Sequence, residues 1–256
     1  MRVTVLGGCG AWPEAGRAAA GFLVEHDGFV VALDLGYATL PNLLRVIPPE
    51  RLDAALITHA HPDHCADLHP LHRAWRMRGD SLPPLRVYCT DGVLDRIEGL
   101  EGGEDVAELR ATLDLRPLAP GAAAFDLGPW RVSSRFLPHW VPNAGLRLDA
   151  DGVSLAYTGD TGPCEEIVGL AAGASLFIVD ATWSGDPPAR TPRYDLTAGE
   201  AGRYAARAGV ERLLLTHFWP GTDRGRSVAA AGAGYDGDVL TADEGVTITI
   251  PLRSTR

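Results

Sequence analysis

The sequence predicts an α/β (α+β) fold in which two β-sheets pack together with helices on their outer faces. Three observations lead there. The 256 residues, 46% hydrophobic and 22% charged, suffice for a substantial core. No linker-like stretch divides them, so residues 1–256 read as one domain. Each half of the chain is a series of strands followed by strand–helix alternation.

In order, Val3–Leu6, Gly21–Glu25 and Phe29–Leu33 are short apolar or β-branched runs, and Asp27-Gly28 between the last two signals a tight hairpin. Leu40–Val46 has the spacing of a short helix, stopped by Pro48-Pro49. Leu52–Thr58 reads as a buried strand that runs directly into a cluster of histidines. From His64 to Met77 the pattern is helical, with Leu68, Leu71 and Trp75 on one side. Arg86–Cys89 is a strand and Val93–Gly99 a short helix. The second series follows: Ala122–Phe125, Arg131–Leu137, Gly145–Leu148 and Val153–Tyr157. Then come helix Cys164–Leu170, strand Ser175–Val179, helix Thr197–Ala208 and strand Arg212–Leu215. A weak Gly- and Ala-rich helix and strand Thr247–Ile250 complete the chain. No internal repeat or low-complexity segment interrupts it.

Composition narrows the chemistry. A net charge of −10 and a pI near 5.2 repel polyanions unless a local basic patch compensates. All basic side chains are arginines, because the sequence holds no lysine. Schiff-base chemistry and a Walker-type phosphate loop are thereby excluded. Cys9, Cys65, Cys89 and Cys164 form no CxxC pair. No cleavable leader and no membrane-length apolar run is visible, so a soluble cytoplasmic protein is expected.

The informative segment is Thr58-His59-Ala60-His61-Pro62-Asp63-His64, just past a strand. Three imidazoles and a carboxylate crowd into six positions of a chain with eight histidines. In extended backbone His59 and His61 fall on the same side. Pro62 can open a helix and carry Asp63 and His64 to a neighbouring location. That geometry offers two ligands to each of two adjacent ions. Neutral imidazoles and carboxylates suit Zn²⁺, and catalytic sites leave a position open for water.

This HxHxDH pattern resembles that of the metallo-β-lactamase superfamily. The resemblance runs from Val3 to about Ile250. Asp34, in Ala32-Leu33-Asp34-Leu35-Gly36, matches the first motif, a carboxylate beneath the site. His139 matches the third motif, Asp160 in Thr158-Gly159-Asp160-Thr161 the fourth, and His217 in Leu215-Thr216-His217-Phe218 the fifth. The resemblance implies a four-layer αββα sandwich with two divalent ions at one edge, zinc first and manganese or iron as alternatives. One ion would take His59, His61 and His139, the other Asp63, His64 and His217, with the bridging Asp160 shared. Such a pair acidifies a water, and the hydroxide attacks phosphorus or a carbonyl carbon.

Asp180-Ala181-Thr182, the helix after Leu196-Thr197-Ala198 and Leu214–Phe218 look most like the ribonuclease Z branch. Two features of its tRNA-processing members are replaced. Their long tRNA-gripping arm has no room here, since His139 and Asp160 are only 21 positions apart. Where they carry a histidine that protonates the leaving group, this chain has Asp195. Asp195 is therefore a catalytic candidate beside Asp63, and either a general acid with a raised pKa or, like Thr197, a helix cap. Arg73, Arg76 and Arg78, or Arg190 and Arg193, could bind phosphate or simply be solvated. A phosphodiesterase acting on a small or single-stranded phosphate ester is expected, with intact tRNA a poor substrate. A lactone, ester or thioester hydrolase with the same metal core is the alternative, and a non-catalytic metal-binding module a third. The resemblance also implies a homodimer.

Overall fold

The computed structural model describes residues 1–78, 82–101, 105–119, 121 and 124–252. Their elements run β1 (Arg2–Gly7), β2 (Gly21–His26), β3 (Phe29–Leu35), α1 (Thr39–Val46), β4 (Ala54–Ile57), α2 (Pro62–Cys65), α3 (Leu68–Arg76), β5 (Leu85–Cys89), α4 (Val93–Glu98), α5 (Asp105–Thr112) and β6 (Leu113–Pro117). The second half runs β7 (Phe125–Leu127), β8 (Trp130–Leu137), β9 (Asn143–Ala150), β10 (Val153–Tyr157), α6 (Glu166–Ala171), β11 (Leu176–Asp180), α7 (Ala198–Ala208), β12 (Arg212–Thr216), α8 (Arg224–Gly232), β13 (Asp238–Thr241) and β14 (Thr247–Thr249).

Two seven-stranded sheets result, ordered β14-β1-β2-β3-β4-β5-β6 and β13-β12-β11-β10-β9-β8-β7. In each, one half is antiparallel and the other parallel: β3 to β6 in the first, β10 to β13 in the second. The central parallel strands are covered on both faces, which is why β4 and β11 are buried at every residue. Side chains of both sheets, among them Phe22, Leu56, Trp130, Leu146, Tyr157 and Ile178, fill the layer between them. Leu43, Leu68, Leu71 and Trp75 pack under the first sheet's outer face, Ile167, Leu170, Ala201 and Ala205 under the second's. The expected αββα sandwich is present. No helix among the described residues is long and apolar enough to cross a membrane.

The β2–β3 hairpin turns where Asp27-Gly28 indicated, both residues having positive φ (49° and 76°). The helix read from His64 to Met77 is two helices. Between them the Asp67 carboxylate accepts the Leu40 N–H at 2.7 Å, and the Asp67 N–H donates to Leu35 at 2.9 Å. Those bonds to β3 and α1 bend the chain and set α2 against the sheet edge. The strand expected at Ala122–Phe125 begins only at Phe125, and Ala122 and Ala123 lie outside the described residues. The strands β3, β4, β10, β11 and β12 all end towards one edge, where open α/β sheets place their ligands.

Candidate metal centre

All seven expected ligands meet at that edge. His59 and His61 follow β4, and Pro62 opens α2 so that Asp63 and His64 lie in its single turn. His139 follows β8, Asp160 follows β10 and His217 follows β12. One atom from each of His59, His61, His139 and Asp160 lies within 4.8 Å of the others, and so does one from each of Asp63, His64, Asp160 and His217. Asp160 belongs to both groups. Two backbone positions are strained to achieve this, since Asp34 and His217 have positive φ (54° and 60°). Gly159 is also left-handed, and a Cβ there would stand 2.6 Å from Asn143 Oδ1 and 2.8 Å from Thr58 Oγ1. Only glycine can precede Asp160 in this turn.

The rings are aimed by their outer nitrogens. His64 Nδ1–H donates to Asp34 at 2.7 Å, and His139 Nδ1–H donates to the Tyr194 carbonyl at 3.0 Å. Thr58 Oγ1 gives its proton to Asp34, so it accepts from His59 Nδ1–H at 3.0 Å. Thr182 Oγ1 likewise donates to Asp180 and accepts from His217 Nδ1–H at 2.8 Å. Four of the five imidazoles thus spend their neutral-state proton on the scaffold and turn a lone pair inward. The Asp34 carboxylate, which also accepts from Tyr157 at 2.7 Å, braces a ring of each ligand group, His64 directly and His59 through Thr58, while Asp180 braces His217 through Thr182.

Inward lone pairs facing carboxylates would repel unless something positive lay between them. His59 Nε2 and His139 Nε2 each stand 3.6 Å from Asp160 Oδ2, His217 Nε2 stands 3.0 Å from it, and His64 Nε2 stands 3.1 Å from Asp160 Oδ1. Ligands of one tetrahedral zinc are separated by roughly 3.3 Å, given bonds of about 2.0–2.1 Å. His64 Nε2 and Asp160 Oδ1 are buried without a hydrogen-bond partner. The donor set therefore fits divalent cations, and the cluster is suited to binding metal ions. Protons compete for the same space. Burial lowers His59 and His61, and takes His139 down to about 4. Burial works against His64 and His217 too, yet Asp160 and Asp63 hold both well above the ordinary imidazole range. Metal uptake must displace those protons.

Asp195 lines the same cavity, of about 380 Å³, as His61, Asp63, Asp160 and His217. Burial first, and then the charge of Asp160, push its carboxyl up to about 6. It does not cap the neighbouring helix. The N-cap of α7 is Thr197, whose Oγ1 accepts the Glu200 N–H at 3.1 Å while Glu200 accepts the Thr197 N–H at 3.0 Å. Capping by Asp195 is thereby corrected: Thr197 already supplies the helix with its oxygen. Among the arginines, Arg73 pairs with Glu101 at 2.6 Å, Arg76 with Glu108 and Arg78 with Glu50, a solvated ion-paired face. Arg193 pairs with Glu200, whereas Arg190 lies over the Trp140 ring beside Asp195.

Sequence reasoning missed Ala11 and Tyr157, and marked Asp180 and Thr182 only as a resemblance without a role. Ala11 donates its N–H to Asp63 Oδ2 at 2.7 Å from a left-handed backbone (φ 62°), and nothing in an alanine announces that. Tyr157, Thr182 and the carboxylate of Asp180 brace the ligands from beneath. A carboxylate ending the uniformly apolar run Leu176–Val179 is the signal that could have given Asp180 its buried bracing role.

Comparison with known proteins agrees with this arrangement. A family described as beta-lactamase superfamily domain matches residues 33–218. An uncharacterized protein of Mycobacterium leprae is 35% identical over 98% of this chain and 89% of its own length. The probable metallo-hydrolase YhfI of Bacillus subtilis is 28% identical over 85% of this chain and 87% of its own. Its crystal structure, described as a metallo-β-lactamase fold protein, superposes with a TM-score of 0.86 at 26% identity, covering 96% of this chain and 98% of that one. Ribonuclease Z of Halobacterium salinarum is 28% identical over 98% of both chains. That alignment spans 307 positions, more than the 256 residues here, so the archaeal protein carries insertions absent from this chain.

Proposed function

The chain belongs to the metallo-β-lactamase superfamily as a ribonuclease Z-like member, and from that premise we propose that this metallo-hydrolase is a phosphodiesterase of small or single-stranded phosphate esters. The observation that carries the proposal is the compact cavity holding both the ligand cluster and Asp195. His59, His61 and His139 would hold one divalent ion and Asp63, His64 and His217 a second, with Asp160 between them. Bound there, the ions would acidify a water and neutralise charge developing on the phosphoryl oxygens. The Ala11 N–H keeps Asp63 turned into the cluster, and Asp195, which lines the same cavity, would face the departing oxygen. The connection from His139 to Asp160 is the paired strands β9 and β10, which supports a short substrate over a gripped polymer. The four cysteines are free, which favours a reducing, cytoplasmic compartment.

Turnover of an aryl phosphodiester against a panel of lactones, with and without Zn²⁺ or Mn²⁺, tests the proposal. Metal-dependent phosphodiester cleavage is expected. Cleavage confined to lactones would assign the site to carbonyl chemistry, and turnover of neither would make the chain a metal-binding module.

Elemental analysis of the purified protein should approach about two metal ions per chain. His64→Ala should lose at least one of them, and full occupancy in that variant would remove His64 from the site. With a net charge of −10, binding of intact precursor tRNA should be weak, with a shallow salt dependence. Nanomolar affinity with a steep salt slope, or accurate 3′ cleavage, would overturn that expectation.

A further inference from the structure

The cavity above the cluster has a polar floor and aromatic walls. Trp140 directly follows His139, and its ring packs 5.1 Å from that of His139 and 6.3 Å from that of His61. Trp219 lies two residues past His217, against Trp183 at 4.7 Å and Trp12 at 5.9 Å. One indole therefore stands beside each ligand group. Trp140, which lines the cavity, and Trp12, which packs against Trp219, are each 50% exposed, a costly way to leave apolar surface unless something covers it. Apart from these indoles the apolar lining is Ala11 and Pro62, with no branched aliphatic side chain. An alkyl group would be met by leucine or valine walls. Indoles instead offer π-faces, which any flat ring can stack upon. Trp140 is held in place, since Arg190 lies 5.1 Å over its ring and Tyr194 packs at 5.0 Å. A volume of about 380 Å³ suits one small ligand.

Building on the phosphodiesterase reading, we propose that Trp140 and Trp219 form a ring-binding subsite, so that a group esterified to the substrate's phosphate carries a flat aromatic ring. The ring lies against the indoles while the phosphate reaches the cluster. Trp140 and Trp219 then determine specificity, by recognising the part of the substrate that does not react.

Equilibrium binding to the zinc-loaded protein tests this without turnover. Methyl phosphate, phenyl phosphate and a pyrimidine nucleoside 5′-monophosphate share the phosphate and differ in the ring. Calorimetry and quenching of tryptophan fluorescence should give the ring-bearing ligands at least about tenfold tighter binding than methyl phosphate. Trp140→Leu and Trp219→Leu should each shrink that ratio, and Trp140→Phe should retain most of it. Preference for the nucleotide over phenyl phosphate would identify the ring as a nucleobase; equal affinity would identify it as a simple aryl group. A ratio near one in the wild-type protein, or one that survives both leucine substitutions, would overturn the proposal. Cleavage of methyl p-nitrophenyl phosphate is measured separately. Its failure would sink the phosphodiesterase reading and leave the ring discrimination to stand or fall on binding.

Discussion

Asp160→Ala is expected to lower kcat/KM by roughly 10³-fold or more while leaving the protein folded. Asp160 is the one residue shared by both ligand groups, its Oδ2 facing His59, His139 and His217 and its Oδ1 facing His64. Removing it would leave each group three ligands and no common anion. The scaffold does not depend on its side chain. Asn143 Nδ2 holds the turn through the Asp160 carbonyl at 2.7 Å, and that bond survives substitution by alanine. Burial would raise the carboxyl's pKa, but the surrounding imidazoles of His217, His64 and His59 outweigh it and hold the carboxyl well below the ordinary range. The alanine variant should therefore also lose metal affinity at neutral pH. Circular dichroism and elemental analysis check the fold and the metal, and steady-state rates check the chemistry. Near-wild-type turnover would remove Asp160 from the centre.

Most of the fold and the run from His59 to His64 were legible because they rest on local patterns, whereas His139, Asp160 and His217 were placed only through the family resemblance. The HxHxDH run needs six consecutive residues, and the Asp27-Gly28 turn needs two. What escaped depends on distant contacts. The break at Asp67 follows from bonds to Leu35 and Leu40, which no helical periodicity in residues 64–77 reveals. The edge strands β6 and β13 were missed because their half-exposed residues lack a clean alternation of apolar and polar side chains. The relays from Asp34 through Thr58 to His59, and from Asp180 through Thr182 to His217, join residues on different strands. Thr197, already a capping candidate, carried a local signal that could have decided between it and Asp195. Thr197 followed three residues later by Glu200 is a capping box, and it settles which residue caps α7.

With Thr197 as the cap, Asp195→Asn becomes a test of proton donation. If Asp195 protonates the leaving oxygen, the amide should cost about 10²–10⁴ in rate for an ester with a poor leaving group and little for p-nitrophenolate, which departs unaided. The sign of the pH effect follows from the raised pKa. Burial and the charge of Asp160 lift the carboxyl from 3.8 to about 6, so the proton is in place below that pH and is lost as the pH rises through it. Wild-type rates for poor leaving groups should fall relative to good ones as the pH rises through the pKa that Asp195 has in the metal-loaded enzyme, and that difference should vanish in Asp195→Asn. Stability moves in the same window. A folded-state pKa above the unfolded one contributes stability at low pH that disappears as pH climbs from near 4 through 6, so the Asn variant should show a flatter stability profile there. Thr197→Ala supplies the contrast, with about 1 kcal/mol of destabilisation from the lost cap and no dependence on leaving group. If Asp195→Asn retains wild-type rates across leaving groups of rising pKa, the proton comes from elsewhere, and Asp195 only shapes the cavity.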